Sequence, residues 1–120
     1  MSKVVLGAHS KETCSREVLP IKDTLELLSG KWKLPILATL MLGKKRFREI
    51  ERELPRITAR MLSKELRDLE MNKLITRTVY DSKPVTVEYE MTAYGKSLDK
   101  VLYSLREWGI MHRKLILGKK

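Results

Sequence analysis

The sequence predicts a mainly α-helical, α+β fold with one small β-hairpin, and three observations predict it. Apolar residues recur every three or four positions along most of the 120 residues, the spacing that gives a helix one oily face. Between Ile75 and Met91 the period drops to two, and β-branched and aromatic side chains take over, as strands require. Gly30, Gly43 and Pro55 interrupt the helical stretches, dividing them into short segments.

Residues 1–13 are polar and weakly patterned and read as a flexible arm, leaving 14–120 as a single domain. Pro20 suits a first helical turn, Ile21, Leu25 and Leu28 recur at helical spacing, and Gly30 is a stop, so the first helix is expected from Pro20 to Gly30. KWKLPILATLMLG follows as the most buried helix, with Trp32, Ile36, Leu37 and Leu40 inward and Pro35 tolerable only in the first turn. KKRFREIERELP supplies a short third helix that turns Phe47, Ile50 and Leu54 inward and stops at Pro55, because proline disfavours a helical residue before it. Three residues, Pro55 to Ile57, separate it from Thr58, which can cap a fourth helix by accepting a hydrogen bond from a free first-turn amide. ITRTVY, Ile75 to Tyr80, and VTVEYEM, Val85 to Met91, are the strands, and DSKP is the turn between them. Thr92 is then the cap of a long last helix in which Leu98, Val101, Leu102, Leu105 and Trp108 make one apolar stripe.

A chain of this size buries one modest core. Its formal net charge is +10 and its isoelectric point is near 9.9, a field that favours nucleic acid or an anionic membrane surface. Between Lys44 and Arg77 eleven Lys and Arg stand against six Asp and Glu, so part of the excess is concentrated there. The longest apolar run, Leu34 to Leu42, is far shorter than the ~20 residues that span a bilayer. Val4, Val5 and Leu6 are too few for a secretory core of ~7 to 15 residues. These features predict a cytoplasmic protein without a membrane partner, and the single cysteine, Cys14, agrees with a reducing compartment.

Two short helices joined by a tight turn and followed at once by a hairpin is the organisation of a winged helix-turn-helix. The fourth helix fits the DNA-reading position. At roughly 100° per residue Leu62, Leu66 and Leu69 fall within about 60° of one another, while Arg60, Lys64 and Arg67 cluster opposite. That acid-free face suits a major groove, where phosphate would repel a carboxylate. Thr58 and Ser63 add hydroxyls for hydrogen bonds to bases and backbone. The plainer reading of the three cations is an ordinary solvated face, but their place after a short helix and turn favours DNA contact. Lys83 is nearly as readily a mere turn residue as a phosphate contact. Trp32 and Trp108 lie on apolar stripes and read as core or dimer anchors.

The pattern does not suggest an enzyme. His9, Cys14 and His112 lack metal-ligand spacing, and no phosphate-binding glycine loop is present. Glu49, Glu51, Glu53, Glu65, Asp68 and Glu70 alternate with basic residues, which reads as surface ion pairing. No metal or cofactor is expected. The alternative to a regulator is a sequence-neutral architectural DNA-binding protein, equally small and basic but with no need of a capped recognition helix.

GKWKLPIL, KRFREIERELPRIT, MLSKELRDLEMNKLITRTVY, PVTVEYEMTAYGKSL and REWG stand in the order and at the spacing of the HxlR-type transcriptional regulators, which the chain resembles from about Cys14 to His112. The resemblance implies a dimeric bacterial or archaeal winged-helix regulator that binds double-stranded DNA, its terminal helices pairing the subunits. It places Thr58, Arg60, Ser63 and Lys64 in the part of the recognition helix that enters the major groove, with Arg67 on the same face, and DSKP at the wing tip with Lys83 beside the minor groove. So small a core leaves the Leu98, Val101, Leu102, Leu105 and Trp108 stripe no partner of its own, which makes it the expected homodimer interface on inverted-repeat operators. The resemblance also makes Cys14 a candidate redox or electrophile sensor, against the plainer reading of a small buried residue. Lys11 and Arg16 would favour its thiolate. Two departures stand out: Val85 and Thr86 replace a proline and an arginine frequent in the family's wing, and Ser15 follows Cys14 where proline is usual.

Overall fold

The computed structural model describes residues 11–118, with side chains from Ser15 onward. One compact unit runs to Gly30 and a second begins at Lys31. The first contains α1 (Lys11–Leu27), which starts nine residues before the expected Pro20 and carries that proline inside it. The proline removes one backbone donor, and Thr24 Oγ1 donates to the Pro20 carbonyl at 2.8 Å. The helix extends backward because Lys11, Glu12, Arg16, Glu17 and Leu19 are good helix formers. Three residues of the expected arm, 11–13, thus lie in α1, and 1–10 fall outside the described residues. So does the side chain of Cys14.

The second unit runs α2 (Lys33–Met41), β1 (Lys45–Arg46), α3 (Phe47–Glu53), α4 (Ala59–Met71), β2 (Ile75–Tyr80), β3 (Thr86–Met91), α5 (Ala93–Lys96) and α6 (Asp99–Leu117). Pro35 does sit in the first turn of α2, and Gly43 follows that helix at φ 143, a backbone shape that glycine adopts most easily. The hairpin is one strand richer than expected. The sheet order is β1-β3-β2, all antiparallel, with Lys45 opposite Tyr89 and Ile75 opposite Met91. A two-residue strand is too short to show a period of two, so β1 left no mark on the pattern.

The core of this unit is built from one face of each element. Ile36, Leu37 and Leu40 come from α2, Ile50 from α3, and Leu62, Leu66 and Leu69 from α4, closed by Leu74, Ile75, Tyr89 and Met91 of the sheet. Contacts join α4 to β2 and α2 to β3, which holds the fourth helix across the sheet.

The last helix differs from the expected continuous one. Thr92 does cap a helix, accepting from the Gly95 amide at 2.8 Å, but that helix is the four-residue α5. The Thr92 hydroxyl also donates to the Lys73 carbonyl at 2.7 Å, tying α5 to the end of α4. Gly95 seats α5 on the chain at Leu74: a Cβ there would lie 2.1 Å from the Leu74 carbonyl oxygen, so the backbones meet too closely for any other residue. The chain then turns through Ser97 and Leu98 into α6, which buries none of its side chains. Among the described residues no helix is long and apolar enough to cross a membrane.

Candidate nucleic-acid interface

The second helix of the helix-turn-helix, α4, is set by its cap and its stripe. Thr58 stands in extended backbone, and its hydroxyl oxygen accepts from the Met61 amide at 3.1 Å. That cap satisfies one of the free first-turn donors and leaves the Thr58 hydroxyl proton available to a ligand. Burial of Leu62, Leu66 and Leu69 fixes the rotation of the helix, so that Arg60, Ser63, Lys64 and Arg67 are all exposed. The structure therefore brings five of the six predicted DNA-binding residues together on α4 and its cap. Lys83, the sixth, is exposed at the hairpin turn, next to a cis peptide bond to Pro84. Ser82 Oγ donates to the Pro84 carbonyl at 2.8 Å, which closes the turn.

The cationic face is less free of acids than the helical wheel indicates. Lys64 Nζ lies 3.5 Å from Asp68 Oδ2, one turn further along. Asp68 also lies 3.5 Å from Lys33 Nζ of α2, so one carboxylate serves a cation on the solvent side and another on the core side. Among the described residues Arg60 and Arg67 have no ion pair.

Behind α4 lies a contact that the sequence reading placed wrongly. Glu65, expected on the surface, is buried and holds Lys33 Nζ at 2.5 Å, with side-chain exposures of 7% and 10%. Lys33 occupies the first turn of α2, where the helix dipole disfavours a cation. Burial alone pulls its ammonium pKa down, but Glu65 and then Asp68 outweigh that and hold it above its ordinary value of 10.5. The ion pair thus fastens the recognition helix to α2. A signal was present: at roughly 100° per residue Glu65 falls about 40° from Leu69, nearer the stripe than the cations.

A groove of about 360 Å³ lies between α4 and the hairpin, lined by Ser63, Leu66, Arg67, Glu70, Arg77 and Tyr89. Arg77 was not singled out from the sequence. It pairs in register with buried Tyr89 and so shares the sheet face that meets α4. Its place two residues after Ile75 in a period-two strand was the available sign.

The expected dimer stripe on α6 is uncovered. Val101 is 40%, Leu105 51% and Trp108 62% exposed, while Leu98 and Leu102 are half-buried. The Trp108 ring stacks on His112 with centroids 5.0 Å apart. Among the described residues no group of three or more His, Cys, Asp or Glu could hold a metal.

The HxlR-like helix-turn-helix family matches residues 27–116, three quarters of the chain. The chain belongs to the HxlR family. The HTH-type transcriptional regulator YtcD of Bacillus subtilis (strain 168) is 44% identical over 100 residues, 83% of this chain and 79% of that one. Among solved structures, the redox regulator HypR in its reduced form superposes with a TM-score of 0.78 at 38% identity, covering 82% of this chain and 98% of the other. Diamide-treated YodB from B. subtilis superposes at 0.66 with 34% identity, covering 75% and 89%. This HxlR-family chain is a helix-turn-helix transcriptional regulator with a winged-helix fold, not an enzyme.

Proposed function

We propose that this regulator binds double-stranded DNA sequence-specifically as a homodimer, in the cytoplasm, with 14–120 acting as one domain. One observation carries the reading: α4, capped by Thr58 and fixed by its buried leucines, turns Arg60, Ser63, Lys64 and Arg67 outward together. In a helix-turn-helix the N-terminal part of the second helix reads base edges. Arg60 is the residue suited to a bidentate contact with guanine, and Lys83 at the wing holds backbone phosphate. The uncovered Val101, Leu105 and Trp108 of α6 supply the dimer contact. A two-fold dimer then sets two recognition helices about 34 Å apart, matching inverted half-sites one helical turn apart. By likeness to the redox regulator HypR and to YodB, solved after diamide treatment, Cys14 senses oxidants or electrophiles. A lone cysteine offers a Cys14 to Cys14 bond between subunits, a mixed disulfide or direct alkylation.

The test selects bound sequences from random DNA while light scattering follows the size of the free protein. A dimer at micromolar concentration and a palindromic consensus bound at least ~10³-fold more tightly than random DNA are expected. Arg60→Ala relaxes one base position, whereas Lys83→Ala weakens all sequences alike. Equal affinity for consensus and random DNA would establish the architectural alternative instead. For Cys14, operator binding is measured before and after diamide in the wild type and in Cys14→Ser. An unchanged wild type in which mass spectrometry shows Cys14 modified removes the sensor role.

A further inference from the structure

The groove between α4 and the hairpin joins two residues of the exposed α4 face, Ser63 and Arg67, to side chains of the sheet that the base-reading assignment does not include. Arg67 and Arg77 both line it, one from the helix and one from β2, and among the described residues neither has an ion pair. Ser63 brings a hydroxyl from the next turn of α4. Tyr89 forms part of the wall although it is only 9% exposed. Its phenol has no hydrogen-bond partner among the described residues, where no fully buried polar side-chain atom goes unpaired. The phenol oxygen is therefore reached by solvent and is free to donate. Glu70 is the one carboxylate in the lining. Two guanidiniums against one carboxylate leave a single net positive charge.

We propose that this groove is a seat for one phosphate oxyanion, walled by the Arg67 and Arg77 guanidiniums and finished by donors from Ser63 and Tyr89. The single net charge matches a phosphodiester, which carries one negative charge, better than a dianionic phosphomonoester. Placement agrees. With α4 in a major groove and the hairpin beside the adjoining minor groove, the one backbone strand between the two grooves runs where this cleft lies. Phosphates positioned in this way set register and carry no sequence information, so the seat separates affinity from the base reading assigned to Arg60. The proposal rests on the DNA-binding reading for its occupant, although the same chemistry would hold free phosphate.

The experiment compares wild type, Arg77→Ala and Tyr89→Phe on the selected operator and on random duplex across a range of salt. Arg77 is exposed, and Tyr89→Phe removes one oxygen, so both variants are expected to melt with the wild type. Arg77→Ala should weaken both duplexes by the same factor, about 10-fold, lower the salt slope by ~1 and leave the consensus unchanged. Tyr89→Phe should weaken both by a smaller common factor with the slope intact, since it loses a neutral donor. A second arm has no DNA: inorganic phosphate is titrated at fixed ionic strength while the side-chain nitrogen resonances of Arg77 are followed by NMR. A saturable shift that disappears in Arg67→Ala supports the seat, with free phosphate as an occupant, whatever the DNA arm returns. If the wild type reads its operator but Arg77→Ala keeps the wild-type slope, the backbone is not the occupant. That result without a phosphate-induced shift overturns the seat. If the wild type fails to distinguish operator from random DNA, the specific-regulator reading falls, and the slope and the phosphate titration still judge the seat.

Discussion

Helices α4 and α6 carry apolar stripes of the same helical spacing, and the fold treats them oppositely. On α4 the stripe disappears, with Leu62 and Leu69 at 0% and Leu66 at 1% exposure. On α6 no side chain is buried, and Trp108 keeps 62% of its surface open. The difference is one of partners. α4 is held to β2 and, through the Lys33–Glu65 pair, to α2, whereas the contact of α6 with α2 leaves its Val101, Leu105 and Trp108 open. A stripe therefore tells that a face must be covered, while the surrounding elements decide whether the cover comes from the same chain. The two helices fit the two needs of the proposed dimeric reader: a face of α4 held in a fixed orientation by its buried stripe, and a face of α6 open to a second copy.

The largest effect expected on that comparison is at the charged fastening of α4. Lys33→Met leaves the Glu65 carboxylate buried without its partner, a loss of roughly 3 to 5 kcal/mol, read as a fall in the guanidinium chloride midpoint. Lys33→Met combined with Glu65→Leu replaces both charges by apolar groups and should recover most of that loss. A double variant as unstable as the single one would mean that the leucines alone do not hold α4. The pair also predicts a pH dependence. The folded-state ammonium is held above its ordinary 10.5, so its stabilisation is complete below that value and fades as pH rises through the raised one. Thermal melts taken above pH 10.5 should fall more steeply in the wild type than in the double variant.

The next contrast sets one leucine from each stripe against the other. Leu66→Ala opens a cavity in the core and should cost about 2 to 5 kcal/mol of unfolding free energy at any protein concentration. Leu105→Ala has no core to disturb. Its cost should appear only as a lower dimerisation affinity in sedimentation equilibrium, with the melting of the dilute monomer unchanged. A concentration-independent loss at Leu105 would show that α6 is covered within its own chain.

How far the sequence foretold this arrangement follows from the same physics. Helical stripes and β-branched alternation are written into side-chain order, so α2, α3, α4, β2 and β3 were legible, as were the Thr58 and Thr92 caps. What escaped depends on contacts between distant residues. β1 exists because Lys45 and Arg46 meet β3, and α5 is seated by the close approach of Gly95 to Leu74. At the site, the cations of α4 were visible from the wheel. Lys33 and Arg77 were not, since each is brought to α4 by another element, and Glu65 was read by its charge where its angular position was the better guide.

Gly95→Ala tests the junction from which α6 departs and should act at a middle scale. The added Cβ would collide with the Leu74 carbonyl, with Met91 Cε 3.0 Å away, costing about 1 to 3 kcal/mol by overpacking. Because Leu74 closes the core next to α4, the loss should appear in the unfolding midpoint and in faster amide exchange at the start of β2. An unaffected midpoint would show that the junction adjusts freely and that α6 is not held at its base.

The smallest effect is expected at Asp68, where core and DNA face meet. Its carboxylate is 38% exposed and stands 3.5 Å from both Lys33 and Lys64. The exposed pair with Lys64 contributes only about 0.3 to 0.5 kcal/mol, and Asp68→Asn leaves Glu65 to hold the buried Lys33, so the melt should move less than in the other variants. Its consequence should appear on DNA. Removing the carboxylate frees the Lys64 ammonium and deletes a negative charge next to the phosphates, so random-DNA affinity should rise about two- to fivefold and operator affinity by less. The ratio of the two, which measures specificity, should therefore fall. In Lys64→Ala the same Asp68→Asn change should have a smaller effect on random DNA, because the cation it releases is gone. An equal rise in both backgrounds would mean that Asp68 acts only through its own charge and that Lys64 is not restrained by it.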